Sequence, residues 1–152
     1  MKPFQVSYTI NGDSMNRQNA QQALYDTMQT VRIQIQCISY SMMHVKQKDL
    51  LKRFVYDSGN YILKFHTAVC SRGDRLYELS VWKTIGLYCW GYSSRFSNST
   101  VMRKQLLKIL SDAIRKTKQL MAVLNGSSKI MIVAQNYLDL LLEYKYRVQA
   151  LD

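Results

Sequence analysis

Four cations, Lys104, Lys108, Arg115 and Lys118, recur at offsets of 4, 7 and 3 residues. At about 100° of turn and 1.5 Å of rise per residue, they share one face of a helix with Ser111 and lie along a straight line of about 21 Å. A row of ammonium and guanidinium groups at that repeat can exchange its counterions for the phosphates of a polyanion. Arg103 and Lys116 flank the row. The segment Tyr88-Cys89-Trp90-Gly91-Tyr92-Ser93-Ser94-Arg95-Phe96 leads into it. If that segment is extended, Tyr88, Trp90 and Tyr92 share a face on which bases could stack beside the cations. The opposing reading is that these rings close the end of a hydrophobic core, where aromatic burial contributes most.

Other chemistry finds little support in the residues. His44 and His66 are the two imidazoles, and neither belongs to an H-E-x-x-H or similar ligand cluster. His66 and Cys70 would share a helix face, but two ligands do not make a metal site, so no metal and no cofactor are expected. The carboxylates are scattered, with no pair spaced for general acid and base roles. Gly86 and Gly91 have the separation of a phosphate-binding loop, yet Tyr92-Ser93 follows where Lys and then Ser or Thr are needed. Nothing selects one of the 11 tyrosines as a nucleophile. Arg72-Gly73-Asp74 matches an adhesion tripeptide and Asn98-Ser99-Thr100 a glycosylation acceptor. Both act only outside the cell, and both are read as chance matches.

The net charge of +11 comes from 21 basic and 10 acidic residues. Between Arg95 and Lys118 seven basic residues face the single acid Asp112, a local charge of +6. Such a field concentrates nucleic acid, an anionic membrane surface or an acidic protein without choosing among them. A second basic group, Lys46, Lys48, Lys52 and Arg53, is read as the solvated end of a first helix, complementing its dipole, or as part of one face with the first group. The three cysteines form no C-x-x-C pair, which points to a reducing, cytoplasmic setting. The N-terminus does not read as a signal peptide, and no apolar run approaches the length of a transmembrane span, so no membrane partner is expected.

These residues must be positioned by a fold. The 152 residues suit a single domain, 1–152, with 47% hydrophobic residues, one Pro and 6 Gly. Phe4, Val6, Tyr8 and Ile10 alternate as in a short strand, which would have to pair with the weaker run Tyr61, Leu63, Phe65, Val69 or with a copy of itself in a homo-oligomer. Leu24, Met28, Val31, Ile35, Ile38, Met42 and Val45 step by 4 and 3, predicting one long helix from Ser14 to about Tyr56, ending at Asp57-Ser58-Gly59-Asn60. Leu76, Leu79, Val81, Trp82 and Ile85 suit a helix opened by Asp74. The Met42-Met43 pair and the other methionines read as core filling.

The C-terminal third reads most clearly. A helix capped by Ser99 or Thr100 should bury Met102, Leu106, Leu110, Ala113, Thr117, Leu120 and Leu124 and end at Asn125-Gly126. A second, capped by Ser127 or Ser128, should bury Ile130, Ala134, Tyr137, Leu141, Tyr144 and Val148, with Leu138, Leu140 and Leu142 widening its apolar sector. The expected fold is mainly α, a three- or four-helix bundle with a short N-terminal β-strand.

The leading functional expectation is a non-enzymatic nucleic-acid-binding accessory protein, RNA ahead of DNA. Lys104, Lys108, Arg115 and Lys118 would contact phosphates, with Arg103, Lys116 and Arg95 at the flanks and Trp90, Tyr92 and Phe96 as stacking groups. The alternative is a protein-interaction module, such as a phage or host inhibitor or an assembly subunit, that docks an acidic partner. An enzyme ranks third.

Overall fold

Five helices account for nearly all of the described residues: α1 (Pro3–Ser41), α2 (Val45–Cys70), α3 (Val81–Ser94), α4 (Ser99–Leu124) and α5 (Ser128–Ala150). The computed structural model describes residues 3–41, 45–94, 98–124 and 128–151; side chains are described from residue 17 onward, those at 41, 45, 94, 99 and 128 excepted. Helix α1 packs on α2 and α4, α5 packs on the same two, and α3 packs on α1. The four long helices therefore form a closed ring, α1–α2–α5–α4, with α3 outside it.

Side-chain contacts set the directions. Arg32 of α1 donates from Nε to the Val55 carbonyl of α2 at 3.1 Å, while Tyr25, two turns earlier, meets His66, so α1 and α2 are antiparallel. Phe54 meets Tyr144, whereas Leu63 and Ala68 line a groove with Ile132 and Val133, so α2 and α5 are antiparallel too. Arg103 near the start of α4 reaches Val148 near the end of α5, which makes that pair antiparallel as well. Every neighbour in the ring runs opposite to the next, as in a four-helix bundle with one long crossover. The crossover is the segment from 71 to 98, which must return along the whole bundle because α2 and α4 point the same way.

The core contains the residues the helical spacing predicts. All seven inward residues of α4, from Met102 to Leu124, are buried, as are all six of α5, from Ile130 to Val148. In α1, Leu24, Met28, Val31, Ile35 and Ile38 are buried; Met42 and His44 fall outside the described residues, as do Met43, Asn125 and Gly126. Helices this long draw most of their stability from such packed stripes and little from propensity.

Four expectations are corrected. Residues 4–10 lie in α1 and form no strand. A lone strand leaves its ladder unpaired, and Tyr61, Leu63 and Phe65, the proposed partner, are themselves in α2, so helical hydrogen bonding satisfies that backbone instead. The long helix from Ser14 to Tyr56 is two antiparallel helices, because an apolar stripe on either side of a reversal keeps the same spacing. The stop at Asp57-Ser58-Gly59-Asn60 lies within α2, where Ser58 is buried between the core residues Phe54 and Phe65. Burial of that stripe overrides local turn chemistry, and α2 ends instead at Cys70, where the chain turns through Gly73, which has a φ of 88° and donates its N–H back to Cys70 O at 3.0 Å.

The fourth correction concerns residues 74–80, which are extended and form no helix. They are strapped to α1 by a polar stripe of Gln18, Gln22, Tyr25 and Gln29. The Gln18 amide donates to Arg75 O at 2.7 Å. Gln22 both donates to Tyr77 O and accepts from Tyr77 N–H, each at 2.8 Å. Tyr25 and Gln29 donate to the two oxygens of Glu78. An extended segment without a sheet partner thus obtains its backbone bonds from side-chain amides. Gln22→Ala removes two of them and should cost about 1–3 kcal/mol. Hydrogen exchange checks this: the Tyr77 amide loses protection while the α4 core amides keep theirs.

Three buried tyrosines, Tyr25, Tyr137 and Tyr144, resist ionisation. Burial pushes Tyr137 up, and burial together with the neighbouring carboxylates Glu78 and Asp57 pushes Tyr25 and Tyr144 up. A group whose folded-state pKa is raised gives stability that is complete below its unfolded value and is lost as pH climbs toward the folded one. Stability set by these rings should therefore hold through neutral pH and fall above about pH 10, where unfolded tyrosine ionises. Denaturant titrations across alkaline pH measure it, and Tyr137→Phe should flatten the fall.

Candidate nucleic-acid interface

The basic row stands on α4, and its start is set by Asn98, whose Oδ1 accepts from Val101 N–H at 2.9 Å. That side chain caps the helix in place of Ser99 or Thr100. With the apolar stripe committed to the core, Lys104, Lys108, Arg115 and Lys118 are turned outward, and all four are exposed. Among the described residues no carboxylate lies at ion-pair distance from the three lysines. Arg115 reaches Asp112 at 3.7 Å, with both side chains more than half exposed. An exposed pair of that length is worth little and yields readily to a phosphate.

The flanking residues divide. Lys116 is exposed and lines a cleft of about 220 Å³ with Arg115, Asp26, Gln34 and Lys83. Arg103 is half-buried and engaged elsewhere: it donates from Nη2 to Gln149 O at 2.8 Å and from Nε to Val148 O at 3.4 Å. Those carbonyls belong to the last turn of α5, where Val148 O also accepts from Leu151 N–H at 3.2 Å, so Arg103 completes a helix end. Arg95 and Phe96 lie outside the described residues.

The aromatic segment folds differently from the extended form weighed above. Residues 88–92 are helical, so Trp90 is turned about half a circle from Tyr88 and Tyr92. Trp90 packs half-buried against the core, whereas Tyr92 is 62% exposed. Ser80 opens α3 by accepting from Lys83 N–H at 3.1 Å, and Gly91 brings α3 against α1. A Cβ at Gly91 would stand 2.3 Å from Cys37 Sγ, so only glycine allows this approach.

The outer face of α3 was not legible as a site. Val81, Trp82, Ile85, Tyr88 and Tyr92 follow helical spacing and face outward, with Trp82 at 82% and Tyr88 at 47% exposure. Tyr88 and Tyr92, with Tyr40, Cys37 and Gly91, line a cleft of about 380 Å³ between α3 and the end of α1. Burial pushes the Cys37 thiol up, which keeps it protonated. A helix apolar on both faces, packed on one, was the available signal.

The second basic group changes its meaning. Lys46 and Lys48 stand in the first turn of α2, where cations oppose the helix dipole and do not complement it, and Lys52 and Arg53 lie about two turns in. Gln47 and Leu51 share a small gap with Arg103 and Leu106, so both basic groups begin at one end of the bundle. Helices α2 and α4 occupy opposite corners of the ring and do not merge into one surface.

The His66 ring nitrogens stand 3.8 Å from Cys70 Sγ, and among the described residues no three ligand side chains come together. No described helix is long and apolar enough to cross a membrane. No protein-family model matches the chain, no curated protein matches its sequence and no solved structure matches it.

Proposed function

We propose that this chain is a non-enzymatic nucleic-acid-binding accessory protein that grips phosphates with the outer face of α4. The observation that supports this reading most is that the row of cations is exposed, with a single weak carboxylate contact at Arg115 among the described residues, while the opposite face of the same helix is buried. A rigid row on a packed helix loses little entropy on meeting a polyanion, and its charge makes encounter fast. Lys104, Lys108, Arg115 and Lys118 contact phosphates, with Lys116 beside them. RNA ranks ahead of DNA because proteins meet unpaired strands and loops chiefly in RNA. Binding of mixed-sequence RNA and DNA at low salt tests it: binding of RNA to the full chain is expected, and its absence at low salt refutes the reading.

A groove between α2 and α5 favours a second reading, docking of an acidic protein. Leu63 and Ile132 are exposed there, in a space of about 470 Å³ edged by Lys64 and Lys129. An acidic amphipathic helix matches that combination. A partner recovered from nuclease-treated extract, and lost with Leu63→Asp, would favour this over the first.

A further inference from the structure

Resting on the nucleic-acid reading, we infer that the ligand is single-stranded: unpaired bases stack on Trp82 and in the Tyr40–Tyr88–Tyr92 cleft while their phosphates follow α4. The crossover places these features side by side. Helix α3 lies along the outside of α1 in the same direction, since Glu78 meets Tyr25 and Gln29 while Tyr88 meets Cys37 and Tyr40. Lys83, next to Trp82, shares a cleft with Arg115 and Lys116 of α4, where the carboxylates of Asp26 and Asp112 leave the cations in excess. The ring face and the phosphate face therefore join at three cations, one of which belongs to the row itself.

The chemistry of the stripe selects the occupant. Exposed apolar stripes usually meet a protein or a lipid surface. Here three of the five stripe residues are aromatic, and Tyr40 adds another exposed ring at its end. Such rings serve protein and membrane interfaces too, but beside the cations Lys83, Arg115 and Lys116 a strand meets both features at once, its bases stacking on the ring faces while the hydroxyls stay in water. A second copy is disfavoured by charge, because +11 would meet +11 across Lys83, Arg115 and Lys116. A duplex keeps its bases stacked on one another, so the rings give it nothing; only an unpaired strand gains from both faces.

The test measures anisotropy of a labelled mixed-sequence RNA strand and of its duplex with the full chain and with a Trp82→Ala, Tyr88→Ala double variant. Both rings are exposed, so the variant should fold, which circular dichroism verifies. The unaltered chain should prefer the strand by at least about tenfold, and the variant should lose that preference while binding duplex unchanged. Tryptophan fluorescence should be quenched by the strand, and Trp82→Phe should abolish the quenching. Equal affinity for strand and duplex, unaffected by the double variant, overturns the inference but leaves the phosphate-binding reading standing. Absence of binding to either overturns that reading itself. Loss, in the variant, of binding to vesicles containing phosphatidylserine, with no strand preference in the unaltered chain, assigns the stripe to a lipid surface and overturns the inference.

Discussion

Reversing the α4 row, with Lys104→Glu, Lys108→Glu, Arg115→Glu and Lys118→Glu combined, should lower affinity for mixed-sequence RNA about a thousandfold at low salt. A cation and a phosphate about 4 Å apart in water attract by about 1 kcal/mol, so four lost pairs amount to about 4 kcal/mol. At about 1.4 kcal/mol per decade that is nearly three decades, before the added repulsion. The fold should survive, because all four side chains are exposed and, among the described residues, their one carboxylate contact is the weak one to Asp112. A matched reversal of Lys46, Lys52, Lys64 and Lys129, exposed cations on α2 and α5, changes net charge equally. Compared at about 0.1 M salt, where charges beyond about 10 Å are screened, it should cost far less. Equal losses in the two variants would mean that the protein's overall field, and not α4, attracts the ligand.

The largest effect on stability is expected at Phe54. Its ring is 1% exposed, set edge-on against Tyr144 at 5.1 Å and 76°, at the place where α2 meets α5. Tyr144 is held in turn by its hydroxyl, which donates to Asp57 at 3.0 Å. Phe54→Ala leaves a ring-sized cavity, removes the aromatic pair and loosens that hydrogen bond, at a cost of about 3–5 kcal/mol. In a chain of this size the melting temperature should fall by about 10 °C. Tyr56→Ala, two residues away and 72% exposed, should stay within about 0.5 kcal/mol. If the two substitutions cost the same, the α2–α5 seam is not packed as described.

What could be read from residue order was decided by whether one face of one helix contained the information. In α4 and α5 the apolar stripes are long and uninterrupted, and every residue assigned to the central stripe is buried, while at the edges Ile114 is buried though not assigned and Leu142, assigned to the apolar sector, is exposed. The reversal between α1 and α2 was not legible, because Leu24 to Ile38 and Leu51 to Phe65 keep helical spacing on either side of it. Gly59 looked like a stop because turn residues surround it, but the decisive fact is nonlocal: Arg32 lies against it, 3.3 Å from where a Cβ would stand. The strap at 74–80 depends on Gln18, Gln22 and Gln29, a glutamine stripe that means nothing until its partner is known. Arg103 belonged by spacing to the basic group, yet the end of α5 takes its guanidinium. The α3 stripe was missed because Tyr88, Trp90 and Tyr92 alternate, which resembles a strand, while Trp82, Ile85 and Tyr88 step by 3, which describes the face that is exposed.

The slope of affinity against salt tests phosphate gripping by α4 most directly. For a single strand each phosphate contact adds about 0.7 to the slope of log affinity on log salt, so replacing the four cations by Gln should lower its magnitude by about 3. An unchanged slope, at whatever affinity remains, would show that these side chains never touched the phosphates.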